Sequence, residues 1–263
     1  AFAWVIVIEH TLIFISLIVV TKSFFRVDEL FSPSLDVRLL KDLLRAGIPM
    51  AFATAVYVLF TRIDLIMLGS LAGDAATGFY AAATKISEAW LFFPTILATA
   101  LLPHLVEQKK LGQKKFEASM NSVITLISAI GLLLSFFFFF LAQEVITFTF
   151  GKSFEQSVNI LKIHIWAVFF LALNAISFSY FTIQDLQKTT LYRGCIAFFL
   201  NIVLNYFLIP ILGPEGAALS TLLSIFIGIY FFNILSPKTR PVFWMQTSGL
   251  TLGLLKKYRL GKE

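Results

Sequence analysis

Apolar residues gather into long runs at approximately 2–21, 47–69, 79–102, 120–142, 158–182, 194–212 and 215–235, separated by shorter polar stretches. A helix needs about 20 consecutive apolar residues to cross the hydrocarbon layer, and each run supplies them. None shows the alternation over about 10 residues that marks a membrane barrel strand. The pattern therefore predicts an all-α, polytopic transmembrane helix bundle with about seven spans visible. Only Gly213-Pro214 separates the last two runs, which must turn back on one another as a tight hairpin.

Composition supports lipid as the solvent. Hydrophobic residues make up 58% of the chain and charged residues 14%, against roughly 25% charged in a globular protein. A water-soluble fold would be left with large exposed apolar patches. Ala1 opens the chain inside an apolar run with no initiator Met, basic n-region or cleavage site, so the sequence reads as a fragment whose beginning is missing.

The net charge of +6 follows topology rather than nucleic acid. Lys22, Arg26, Arg38, Lys41 and Arg45 lie between the first two runs, and Lys109, Lys110, Lys114 and Lys115 between the third and fourth. Lys188 and Arg193 precede the sixth run, and Lys238, Arg240, Lys256, Lys257, Arg259 and Lys262 follow the seventh. The alternate connections hold only Lys152, with Lys162 just inside the fifth run. Basic residues concentrate on the cytoplasmic side of membrane proteins, so 22–46, 104–118 and the C-terminus are expected there, and 70–78 and 143–157 opposite. Asp36–Arg45 reads as a helix lying on the cytoplasmic leaflet, and 241–260 as a basic amphipathic tail; anionic membrane lipid is the partner both imply.

No catalytic motif stands up. Gly151-Lys152-Ser153 resembles the end of a phosphate-binding loop, but the glycine needed five residues earlier is Ile146. His10, His104 and His164 are isolated, and Cys195 is a lone cysteine. Neither a metal nor a cofactor is expected. The informative residues are charges at bilayer depth, which cost at least about 2.5–3.5 kcal/mol each on insertion scales and face a cavity or a partner. Arg62 and Asp64 fall in the second run, Lys85 and Glu88 in the third, all about 10–15 Å below the nearer surface at 1.5 Å per residue. Two residues apart, Arg62 and Asp64 cannot share a face. Asp64 continues a polar stripe with Thr54, Tyr57 and Thr61, while Glu88 aligns with Thr84, Thr95 and Thr99. Depth matching pairs Lys85 with Asp64 across the two spans.

Further stripes join Asn121, Thr125, Ser128 and Ser135; Asn174, Ser177 and Gln184; Asn201 and Asn205; and Thr221, Ser224 and Gly228. Each is compatible with hydrogen-bonded helix packing. Together they describe an interior unlike the lipid-facing exterior, with Thr61, Asn174, Asn201 and Asn205 as secondary candidates for a cavity lining. Pro94 removes a helical hydrogen bond close to the charged turn and is expected to kink its helix.

Leu44-Arg45-Ala46-Gly47-Ile48-Pro49, Arg62-Ile63-Asp64 and Gly78-Phe79-Tyr80-Ala81-Ala82-Ala83-Thr84-Lys85-Ile86 closely resemble the polysaccharide (O-antigen-type) flippases of the multidrug/oligosaccharidyl-lipid/polysaccharide exporter superfamily. Phe150-Gly151-Lys152-Ser153-Phe154 and Gly213-Pro214-Glu215-Gly216-Ala217-Ala218 resemble later blocks of the same pattern. The resemblance implies a MATE-like two-lobed bundle around a cavity of alternating access. Residues 1–22 would be the last helix of the N-terminal lobe, 23–46 a cytoplasmic connector, 47–235 a six-helix C-terminal lobe and 236–263 the tail. It implies export of an undecaprenyl-diphosphate-linked oligosaccharide for cell-surface polysaccharide or lipopolysaccharide at the inner membrane, with Arg62, Asp64 and Lys85 as charges for an anionic headgroup. The missing N-terminal lobe and a polysaccharide polymerase machinery would be its protein partners. A multidrug or cation exporter of the same superfamily is the nearest rival. A membrane-embedded sugar polymerase or acyltransferase is more distant, since neither a large polar loop nor a His/acid pair is visible.

Overall fold

The computed structural model describes residues 2–24, 41, 56 and 58–251, and every regular element among them is helical. The chain divides into two units, Ala1–Ala51 and Phe52–Glu263. In the first, α1 (Phe2–Phe24) exposes its side chains all round from Thr11 to Val20, as a helix does when its surroundings are apolar. The helix expected at Asp36–Arg45, apart from a helical Lys41, lies outside the described residues, as do Pro49, Thr54, Tyr57 and 252–263.

The second unit begins with α2 (58–71), followed by α3 (Gly73–Ala89), α4 (Phe92–Lys110), α5 (Gln113–Phe140), α6 (Ala142–Phe150), α7 (Ser157–Ile183), α8 (Gln187–Leu212), α9 (Pro214–Ile225) and α10 (Arg240–Leu250). A π turn (Phe226–Tyr230) and a 3-10 turn (Phe231–Ile234) prolong α9. Among the described residues, five helical stretches are long and apolar enough to cross a membrane: Gly73–Lys110, Gln113–Phe140, Ser157–Ile183, Lys188–Leu212 and Pro214–Ile234. They coincide with the third to seventh apolar runs. α7 is the central element, with buried residues on nearly every side from Ser157 to Phe181, and the other helices pack around it.

Pro94 acts where the sequence places it. Lacking an N–H, it cannot bond to the Trp90 carbonyl, and α3 and α4 part at Trp90–Leu91, where Phe93 N–H reaches back to that carbonyl over 3.1 Å. The Trp90 ring packs on Gly131 of α5, where an added Cβ would lie 2.9 Å from Phe169.

Three local readings need correction. The connection at 143–157 is not simply a loop; it forms α6 and a 3-10 turn (Lys152–Phe154), with Ala142 and Ile146 buried. α10 is not a free tail. It buries Val242, Phe243, Met245, Gln246 and Gly249, and Gln246 donates to Ser177 Oγ at 2.8 Å. Arg193 is not a loop cation but a fully buried residue of α8.

The α8–α9 hairpin packs closely. Gly213 turns at φ 61°, a left-handed conformation that favours glycine, and Pro214 starts α9 with its ring at the first turn. A Cβ on Gly216 would sit 2.3 Å from the Leu208 carbonyl oxygen, and one on Gly228 2.8 Å from Ala197 Cα. Both obstacles are backbone, which cannot rotate away. Overpacking costs typically about 1–3 kcal/mol, so Gly216→Ala should lower the thermal unfolding midpoint in detergent clearly. Gly194→Ala on α8, the other helix of the hairpin, meets nothing within 4 Å and should be neutral or slightly stabilising, because alanine is the better helix former by about 0.8–1.0 kcal/mol.

Candidate functional site

Asp64 lies inside the bundle, only 5% exposed. Three neutral side chains from three other helices hold its carboxylate. Tyr80 of α3 donates its hydroxyl to Oδ2 at 2.7 Å, and Thr221 of α9 donates to the same oxygen at 2.6 Å. Asn205 of α8 donates Nδ2 to Oδ1 at 2.6 Å and also reaches Asn201 Oδ1 at 3.1 Å. Asn201 in turn donates to Thr221 Oγ1 at 3.4 Å. The close α8–α9 approach makes this possible, since it brings Asn201 and Asn205, one turn apart, beside Thr221.

Arg62 and Asp64 separate as their spacing requires. Asp64 points inward, while Arg62 and Thr61 are exposed; the Thr61 hydroxyl returns to the Val58 carbonyl at 2.9 Å. Lys85 and Glu88 are exposed together on α3, one turn apart. Neighbouring helices α2 and α3, joined by the Tyr80–Asp64 bond, thus each expose charged side chains. Charged groups exposed on helices of membrane-spanning length belong against water or protein rather than acyl chains.

The expected Lys85–Asp64 pair does not form. Tyr80 is the α3 residue that reaches Asp64, and Lys85, five positions on, projects about 140° further around the helix. Three charge-assisted hydrogen bonds from neutral groups take the place of the lysine. Asn174 lies elsewhere, accepting a bond from Arg193 Nη2 at 3.2 Å. Arg193 Nε donates to the Ile229 carbonyl at 3.2 Å, Nη2 donates to the same carbonyl, and the guanidinium stacks 4.6 Å from the centre of the Phe181 ring. His164 is hydrogen-bonded to Ser87 Oγ at 2.7 Å and lies edge-on to Tyr80.

The Asp64 carboxyl has no basic side chain among its hydrogen-bond partners, and Asn205 Oδ1 beside it is buried without a donor. The node thus gathers side-chain oxygens of Asp64, Asn205, Asn201 and Thr221 from three helices. Such a set fits a proton or a hard cation, and its single formal charge matches a monovalent one. It lacks the thiolate or imidazole groups that select zinc, and among the described residues no group of three His, Cys, Asp or Glu side chains converges.

A bundle of membrane-length helices with a hydrogen-bonded polar interior defines an integral membrane protein. The family described as "Lipid II flippase MurJ" matches residues 2–256, and the chain belongs to that family. The members are flippases, so the chain is grouped with transporters rather than enzymes. It is 30% identical over 190 residues to "Uncharacterized membrane protein MJ1375" of Methanocaldococcus jannaschii, covering 70% of this chain and 43% of that protein. It is 26% identical over 200 residues to "Capsular polysaccharide biosynthesis protein CapF" of Staphylococcus aureus, covering 73% of this chain and 50% of that protein. The chain thus spans half or less of the length of these curated relatives. No solved structure matches it. The O-antigen-type resemblance and this membership meet at the level of a flippase family.

Removing one donor from a buried carboxylate should cost about 1.5–3 kcal/mol, the usual range for a hydrogen bond to a charged group. Tyr80→Phe, Thr221→Val and Asn205→Leu should therefore each lower thermal stability in detergent. Lys85→Gln, which leaves the node whole, should stay within about 0.5 kcal/mol. A large loss in Lys85→Gln with Tyr80→Phe unaffected would restore the ion-pair reading.

Proposed function

We propose that this protein is the C-terminal portion of a flippase that carries an undecaprenyl-diphosphate-linked oligosaccharide across the inner membrane during cell-surface polysaccharide assembly. On this reading, residues 1–22 close an N-terminal lobe, 23–46 connect on the cytoplasmic side, and 47–235 form most of the second lobe, with the C-terminus cytoplasmic. Arg62 and Lys85 meet the diphosphate, with Glu88 limiting the net charge of the wall. The family, and the capsular polysaccharide role in the name of one relative, support the substrate class. The N-terminal lobe and a polysaccharide polymerase are the protein partners this reading calls for.

The buried carboxylate without a cationic partner carries the coupling part of the proposal. An uncompensated charge in the interior costs several kcal/mol, and a proton or monovalent cation bound at Asp64 removes that cost. Asp64, Asn205, Asn201 and Thr221 would hold the ion, which supplies only charge and coordination. Four helices contribute to the node, so its occupancy biases how they pack, as alternating access requires. A drug or cation exporter fits less well, because the exposed wall presents Arg62 and Lys85 to the substrate.

Export should be measured in cells lacking their own flippase, with the chain co-expressed with the preceding lobe. Arg62→Ala should abolish export at normal protein yield, and Arg62→Lys should retain part of it. Asp64→Asn should reduce export and remove its response to the imposed ion gradient. Normal export by Arg62→Ala would refute the headgroup role; an unchanged ion response in Asp64→Asn would refute the coupling role.

A further inference from the structure

α6 carries an apolar surface that neither the flippase reading nor the polar node uses. On its inner side Ala142 and Ile146 are fully buried in the core cluster that includes Leu68, Tyr80 and Ile209. About 200° around from Ile146, Phe148 is 94% exposed, the most open of the large hydrophobic side chains among the described residues. At the end of α5, just before α6 in the chain, Phe140 is 72% exposed and Phe137 about half. Polar Gln143, Glu144 and Thr149 are exposed alongside. α6 is thus two-sided, with a docked inner face and a mixed outer one.

Its position fixes what the outer face meets. α5 is 28 residues long, about 42 Å at 1.5 Å per residue, close to the thickness of a bilayer with its headgroups. α6 follows it immediately, and α7 then runs back. α6 therefore lies at the membrane surface, at the end of the bundle remote from Lys114 and Lys115. The side chains just below it carry the marks of that level independently. Lys162 sits with Nζ 5.9 Å from the centre of the Phe139 ring, and Trp166, one turn deeper, packs edge-on against Phe136 at 5.3 Å. Lysines near helix ends extend their amines to headgroups, and tryptophans gather at the interface.

We propose that α6 is an interfacial helix that inserts Phe148 among the upper acyl chains of one leaflet, with Lys162 reaching the lipid phosphates beneath it. The occupant of this surface is the bilayer itself. The inference depends on the chain being an integral membrane protein and not on which lipid-linked sugar is moved.

The test is spin labelling of Phe148→Cys in a Cys195→Ser background, with the full chain in vesicles of phosphatidylethanolamine and phosphatidylglycerol. Collisions with oxygen, which concentrates in lipid, are compared with those of a water-soluble nickel chelate. Phe137→Cys serves as the lipid reference and Ser153→Cys as the aqueous one. The oxygen-to-nickel ratio at 148 should exceed that at 153 by about threefold or more, at a depth shallower than 137, as for an apolar face buried about 5–10 Å into the interface. A ratio at 148 equal to that at 153 would overturn the proposal by placing the face in water. Suppression of both collisions would overturn it too, since protein would then cover the face.

Discussion

The arrangement of this bundle turns on one buried carboxylate. Asp64 sits among apolar helices where an isolated charge is intolerable, and hydroxyl and amide donors from three other helices surround it. Each donor is worth about 1.5–3 kcal/mol against a charged acceptor, and none neutralises the charge. α2, α3, α8 and α9 must therefore approach closely enough for short side chains to meet. The small residues of the α8–α9 hairpin, above all Gly216 against the Leu208 carbonyl, provide that closeness.

Arg193 is the mirror image of the same problem. It too is buried, and no acid is among its hydrogen-bond partners. The Ile229 carbonyl in the π turn, the Asn174 amide oxygen and the face of Phe181 receive the guanidinium instead. A π turn shifts the helical hydrogen-bond register, so a carbonyl there can serve a side chain. The two buried charges brace α8 against α9 at both ends: Asn201 and Asn205 meet Thr221 near Asp64, and Arg193 meets Ile229 further along.

Much of this was legible in the sequence. Long apolar runs marked the five membrane-length stretches, because lipid demands helices of that length whatever their partners. The spacing of Arg62 and Asp64 placed them on different faces, and the stripes through Asn201–Asn205 and Thr221 marked residues that the fold joins. Partner choice was not legible. Coulomb attraction favours Lys85 for Asp64, but Tyr80 lies on the facing side of α3 and a phenol can satisfy a carboxylate. Arg193 read as a loop cation because the apolar run begins just after it, and no pattern in the sequence announces a carbonyl in a π turn. The helix at Arg240–Leu250 was hidden by the basic residues beyond it, although Gly249 packed on Ser128 shows how closely it docks.

The separation of Arg62 from Asp64 has a mechanical meaning within the proposed function. Two residues apart on one helix, they face the charged wall and the buried node respectively, so neither can move without α2 moving the other. A change in charge at Asp64 alters the packing free energy of four helices by several kcal/mol, whereas the same change on the exposed wall would be softened by water. The larger lever is therefore inside, and the group that would meet substrate is on the surface it turns. A ligand shifts an equilibrium only through its different affinity for the two states. On the proposed reading, an ion at Asp64 would act where dielectric screening is weakest, on the same helix as the proposed cationic contact, and so would have the larger differential energy with which to redirect a headgroup.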